Sequence, residues 1–164
     1  MIRACGLLAI LVVLASSAAA GDAQSGSGRT LTLYENLPSA YRFIDVKPMS
    51  PTRDLGSRRV RLSIGDRIVT RTAVYDSPGG TRIGTARGMG TVVAGGKLRT
   101  ARLIGGSVFV LSGGQIVAQG EQRLGDLNTA VAIVGGTGAY EGARGSASNA
   151  IVNGTPQLSI HLLG

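Results

Sequence analysis

The chain has 164 residues, a net charge of +8, one cysteine, one histidine and no tryptophan. That length fits a single domain able to bury a core of its own. The lone cysteine, Cys5, sits at the extreme N-terminus, so disulfides, cysteine nucleophiles and thiolate metal sites are excluded downstream of it.

Residues 1–20 read as a secretory signal peptide. Arg3 supplies the positive start, residues 7–14 (LLAILVVL) are an unbroken apolar run, and Ala18 and Ala20 frame a small-residue cleavage site. The run is too short to cross roughly 30 Å of hydrocarbon. The expectation is therefore a secreted protein with no membrane span after cleavage. Residues 21–29, small and polar, read as a flexible tail before a single domain over 30–164.

Leu31, Leu33 and Glu35 begin an alternating segment, which Pro38 interrupts. Residues 41–46 (YRFIDV) alternate again, and residues 47–55 with two prolines read as a loop. The densest basic cluster follows: Arg58, Arg59, Arg61, Arg67 and Arg71. No aromatics interleave with it to stack bases, and no helix-turn-helix, zinc or RNA-binding signature accompanies it. Specific nucleic-acid binding is excluded on those grounds; the cluster reads as a solvated exterior.

Residues 67–75 alternate, with Ile68, Thr70, Thr72 and Val74 on one face. Residues 76–80 (DSPGG) form a turn, and Asp66, Asp76 and Asp126 beside glycine or proline read as turn formers. Residues 82–94 predict a strand closed by Gly95 and Gly96. Residues 97–104 and 107–111 predict two strands separated by Gly105 and Gly106. Residues 115–119, 128–134 and 142–152 predict further strands. Asn153-Gly154 signals a hairpin, a better reading of Asn153-Gly154-Thr155 than a glycan acceptor. In the last segment Leu158, Ile160 and Leu162 share one face. His161 lies on the other as a solvated or hydrogen-bonded structural residue.

Glycine contributes 26 residues, placed between β-branched segments as sheet turns and bends require. About eight strands with tight turns predict an all-β antiparallel domain. Composition and period fit a sandwich and a barrel alike. Ala132 to Gly138 (AIVGGTG) superficially resembles a dinucleotide fingerprint. The next glycine is Gly142, so the spacing fails, and too little chain follows for a doubly wound sheet.

Residues 135–145 (GGTGAYEGARG) resemble the shared segment of the allene oxide cyclases and dirigent proteins. Residues 135–143 are similar to the cyclase pattern of two glycines, a small hydroxyl residue, glycine, an aromatic, Glu, Gly and Ala. Residues 143–145 match the dirigent Ala-Arg-Gly ending. Val74-Tyr75-Asp76, Ile83-Gly84 and Gly88 resemble the family's earlier turn. The resemblance implies one eight-stranded antiparallel β-barrel, often a homotrimer, with an apolar cavity and no cofactor. It also implies a small apolar or aromatic partner molecule, oriented for stereocontrolled cyclisation or coupling.

Carried over residue by residue, Tyr34-Glu35 matches the acidic end of the family's first strand, and Arg144 matches the dirigent arginine. Asp45 is the further candidate acid. Asn36 and Pro38 stand too close to Glu35 to match the cyclase residues that hold a water. Glu35, Asp45 and Arg144 are the candidate site residues. As surface groups they are ordinary charges; inside a barrel, a carboxylate gains a raised pKa and an arginine can hold an anion. The rival expectation is a non-catalytic exported barrel that carries a ligand or serves a structural role.

Overall fold

The structure is a computed structural model, and it describes residues 28–35, 40–44, 61–126 and 129–164. The proposed signal segment and Asp45 lie outside the described residues. Every described element is a strand: β1 (Arg29–Glu35), β2 (Ala40–Ile44), β3 (Arg61–Leu62), β4 (Arg67–Tyr75), β5 (Arg82–Ala94), β6 (Gly96–Lys97), β7 (Arg102–Leu111), β8 (Gly114–Arg123), β9 (Val131–Gly138), β10 (Gly145–Val152) and β11 (Thr155–Leu162).

The main sheet runs β1-β11-β10-β9-β8-β7-β5-β4, and β1 pairs back onto β4. Eight antiparallel strands therefore close into a barrel. Closure rests on two register pairs, Tyr34 with Tyr75 and Glu35 with Val74. Further along the same edge of β4, β2 takes over from β1, from Ala40 opposite Arg71 to Ile44 opposite Arg67. The first stave is thus shared by β1 and β2. β3 and β6 form a separate two-stranded ladder.

The stagger of the barrel follows from its ladders. A row leaving β4 at Thr70 passes through Gly88, Ser107, Ala118, Ile133, Gly145 and Leu162 to reach Arg29 on β1. Yet β1 meets β4 with Glu35 opposite Val74. Glu35 is six residues beyond Arg29 and Val74 four beyond Thr70, giving a shear of ten. A level slice through the barrel therefore climbs the register by about one and a quarter residues per strand (ten over eight).

Alternation then sorts the side chains. Ile68 and Val74, Leu33, Phe109, Ile116, Leu158 and Ile160 are buried on inward faces. They divide into two apolar clusters. The larger joins Val74, Phe109, Ile116, Leu158 and Ile160 with Tyr140 packed against it; the smaller joins Leu62, Ile68, Val92, Ala101 and Leu103.

β4, β5 and the buried face of β11 match the sequence reading. Asn153 and Gly154 both take positive φ, 49° and 78°, as a tight hairpin turn needs. His161 is exposed, its Nδ1 3.3 Å from Thr30 Oγ1. Other boundaries differ. Gly105 and Gly106 do not separate two strands but lie inside β7. A Cβ at Gly105 would stand within bonding distance of the Met89 carbonyl on β5, so the glycine serves close strand packing. Residues 97–101 turn back rather than extend, with Thr100 N–H and Ala101 N–H donating to the Lys97 carbonyl. β8 runs on to Arg123, and β9 spans Val131–Gly138, continuing through the glycines beyond the predicted strand end at 134.

Ile160 is fully buried at the centre of the larger cluster, whereas Met89 is 60% exposed on the outer wall. Ile160→Ala is expected to lower unfolding free energy by about 2–5 kcal/mol. Met89→Ala is expected to change it by no more than about 0.5 kcal/mol. Urea denaturation of the two variants checks the contrast.

Candidate functional site

The interior is apolar at both ends and polar between. One level slice at the near edge of the larger cluster contains Glu35 on β1, Thr72 on β4, Ser107 on β7 and Asn149 on β10. Each lies on an inward face. Glu35 follows Leu31 and Leu33 at the same parity, Thr72 lies between Thr70 and Val74, Ser107 pairs with Gly88 and Ala118, and Asn149 pairs with Leu158. Thr70 and Gly88 lie just beyond, towards the smaller cluster. Inward side chains of the cluster below are buried, but Glu35, Thr70, Thr72 and Ser107 are only half-buried and Asn149 is exposed. Solvent therefore reaches the inner wall at this level. An eight-stranded barrel has room for packed side chains or for one small ligand. Here small residues, Gly88, Gly105 and Gly120 among them, hold inward positions.

Glu35 is the titratable group on this wall. Burial pushes its carboxyl up from an ordinary value of 4.5, because the ionised form loses water solvation. None of the described cations pairs with it. The side chains of Thr70, Ser107 and Asn149 likewise have no hydrogen-bond partner among the described residues. Polar groups elsewhere do: Asp66 accepts from Ser63 N–H at 2.7 Å, and Asp76 accepts from Thr81 N–H at 2.9 Å, each tying a turn. Within the slice Thr72 Oγ1 donates to the Ala73 carbonyl at 3.3 Å, while the side chains of Glu35, Ser107 and Asn149 bond to no described group.

Arg144 lies elsewhere. Its guanidinium donates to the carbonyls of Val134 at 3.1 Å and Ala143 at 2.9 Å, and the residue is exposed. Its own carbonyl accepts from Leu163 N–H, beside the Leu162–Arg29 pair. Glu35 stands six residues along β1 from that pair, about 20 Å away at 3.3 Å per residue. The structure does not bring Glu35 and Arg144 together, and Asp45 is outside the described residues. The motif at 135–145 instead closes the far end of the barrel. Ala139 N–H donates to Gly113 C=O, Tyr140 N–H to Thr137 C=O and Ala143 N–H to Tyr140 C=O, while Tyr140 packs on the core. A side chain at Gly136 would collide with the Tyr140 carbonyl, so that glycine permits the fold-back, whereas a Cβ at Gly135 would meet nothing.

A concavity of about 550 Å³ lies against β4, β5, β7 and β8, lined by outward-facing residues such as Val69, Met89, Val108 and Val117 and also by Thr70 and Ser107.

No family model and no curated protein sequence matches the chain. Solved structures do. The chain resembles a pyocyanin demethylase with a TM-score of 0.62 at 18% identity, covering 82% of this chain and 99% of that one. It resembles the pterocarpan synthase dirigent protein GePTS1 with a TM-score of 0.52 at 17% identity, covering 84% and 86%. The fold is the dirigent and allene oxide cyclase-like barrel. A third solved structure, the exo-specific intermolecular Diels–Alderase AbnU, matches with a TM-score of 0.55 at 18% identity, covering 85% and 100%. At these identities the likeness establishes the dirigent-like fold.

Sequence reasoning reached Glu35 but missed Ser107 and Asn149 as wall residues. For Thr70 and Thr72 the signal was present, since two hydroxyls share a strand face with Ile68 and Val74. For Ser107 and Asn149 the face depends on register with partners far away in the chain.

Two outcomes are expected. Unfolded, Glu35 ionises at its ordinary value; folded, it keeps its proton to higher pH. Its contribution to stability is thus greatest in acid and falls as pH rises from 4.5 through the raised value. Glu35→Gln should match the wild type in urea melts near pH 4 and exceed it near pH 8. Arg144→Ala should cost less than about 1 kcal/mol, as an exposed group, and leave that pH dependence unchanged.

Proposed function

We propose that this barrel binds one small apolar or aromatic molecule in the polar slice and steers its cyclisation or coupling. Glu35 carries the reading: a carboxyl whose hold on its proton burial strengthens, on the inner wall above an apolar floor. A neutral carboxyl can donate a hydrogen bond or a proton to an oxygen where negative charge develops. The larger cluster below offers Val74 and Phe109 as an apolar seat, which excludes water and limits the conformations a bound chain or ring can adopt. The names of the structural neighbours support small-molecule chemistry in such barrels: a demethylase of pyocyanin, a dirigent synthase and a Diels–Alderase.

The proposal includes export through residues 1–20. It assigns Arg144 to the closed end, as a brace for the 139–144 turn, and gives it no contact with the bound molecule. A carrier with the same pocket but no chemistry is the competing outcome of the test.

The test begins with native mass spectrometry of the exported protein, to identify molecules that co-purify. With that molecule or its reactive precursor, Glu35→Gln should reduce the rate or stereoselectivity of product formation by about 10²-fold or more. Its affinity for the ligand should stay within a few-fold of wild type. Equal rate and selectivity in the variant would overturn the role of Glu35. Binding without product formation by the wild type would mark a carrier.

A further inference from the structure

The outer wall of the barrel carries an apolar patch with a cationic rim. Outward side chains there alternate with the buried Ile68, Val92, Phe109 and Ile116. The register lays them in adjacent cross-strand rows. In one, Arg71 stands beside Arg87 and Arg87 beside Val108; in the next, Val69 stands beside Met89 and Met89 beside Gly106. Arg67 and Ile104 share the third, across Thr91. Met89 is 60% exposed and Ile104 50%, while Val69 and Val108 are half-buried beside them. Gly106 leaves the middle of the patch low; a Cβ there would lie 2.7 Å from the Ala118 carbonyl.

The rim is uncompensated. Arg67, Arg71 and Arg87 are exposed, and none of their guanidiniums meets a partner among the described residues. Arg71 and Arg87 stand directly opposite each other on β4 and β5, where like charges repel. The acid in these rows is Glu121, opposite Ile104, and Arg102 already holds it at 3.0 Å. An anionic partner relieves that repulsion. A contiguous apolar surface ringed by arginine suits an anionic membrane: its apolar side chains enter the boundary between headgroups and acyl chains, and its arginines meet lipid phosphates. From β4 to β8 the rows cover roughly 14 Å by 13 Å, at about 4.8 Å per strand and about 3.3 Å per residue. One small anion between Arg71 and Arg87 would leave most of that area bare. A second copy fits poorly, since a two-fold contact sets one arginine-rimmed face against another. Nucleic acid finds no aromatic side chain in these rows to stack on.

We propose that this face of the barrel lies on a bilayer rich in anionic lipid. Met89 and Ile104 enter its boundary region, and Arg67, Arg71 and Arg87 sit on its phosphates. The barrel rests on the surface and does not span it. This surface is separate from the interior pocket, because none of these side chains faces inward.

Vesicle sedimentation of the full mature chain tests this, with phosphatidylcholine alone or mixed equally with phosphatidylglycerol. The protein should pellet with the mixed vesicles, not with pure phosphatidylcholine, and should release as salt is added. Arg71→Gln with Arg87→Gln should weaken binding by about 10-fold or more, whereas Arg29→Gln with Arg144→Gln, which removes the same charge at the closed end, should change it by less than about 3-fold. The chain has no tryptophan, so an introduced one reports on its own surroundings. Emission from Met89→Trp should shift to the blue on mixed vesicles. Emission from Ser146→Trp, exposed on β10 four strands round the barrel from β5, should not. Circular dichroism confirms that each variant is folded, and Arg87→Gln alone serves if the double variant is not. Failure to pellet with mixed vesicles, equal loss in the two arginine pairs, or equal shifts at the two tryptophan sites overturns the inference. So does a Met89→Trp shift that grows with protein concentration in the absence of vesicles, which marks a second copy as the occupant. Equal affinity for monomeric dihexanoyl phosphatidylglycerol overturns it in favour of a soluble anion.

Discussion

The architecture depends on a short closure. Eight strands carry the barrel, but its first and last staves meet through Tyr34 with Tyr75 and Glu35 with Val74. Those pairs fix the shear at ten, and the shear decides which residues share a level. A change of register by one residue at this seam would turn Glu35 from the inner wall to solvent, because successive side chains point to opposite faces. The same pair that completes the hydrogen-bond ladder therefore places the carboxyl inside. Closure also removes exposed sheet edges, a constraint that matters in a chain whose single cysteine is at position 5.

The second constraint is the division of the interior. Large apolar side chains fill the end capped by Tyr140, and a smaller apolar group sits near β3 and β6. Between them the inward positions are held by Gly88, Gly105, Gly120, Thr70, Thr72 and Ser107. These residues bring hydroxyls rather than large apolar groups to the inner wall, and at that level Glu35 is desolvated without a counter-charge among the described residues. Each methylene buried there instead would contribute about 0.8 kcal/mol, so a polar level works against stability, and the large core below offsets it.

Much of this was legible in the residues. The alternation of 67–75 and 157–163 gave both strand and inward face, and Asn153-Gly154 gave the last hairpin. The glycine-rich segment at 135–145 pointed to the barrel, although its work is mechanical: it folds Tyr140 back over the closed end. What remained hidden was non-local. Gly105-Gly106 reads as a turn until β5 is known to lie against it, when the same glycines become a close packing contact within β7. Arg144 could have faced either way on sequence grounds; the carbonyls that hold it come from Val134 and from its neighbour Ala143. Asn149 and Ser107 acquire meaning only through strands distant in sequence.

The central claim is that barrel closure carries the Glu35 carboxyl to the inner wall, where burial raises its pKa. Carbon-13 NMR of the side-chain carboxyl, followed through a pH titration of the folded protein, measures this most directly. The account predicts a Glu35 midpoint clearly above 4.5, with its backbone amide protected from exchange. A midpoint at the ordinary carboxylate value, together with rapid amide exchange at Tyr34 and Glu35, would contradict it.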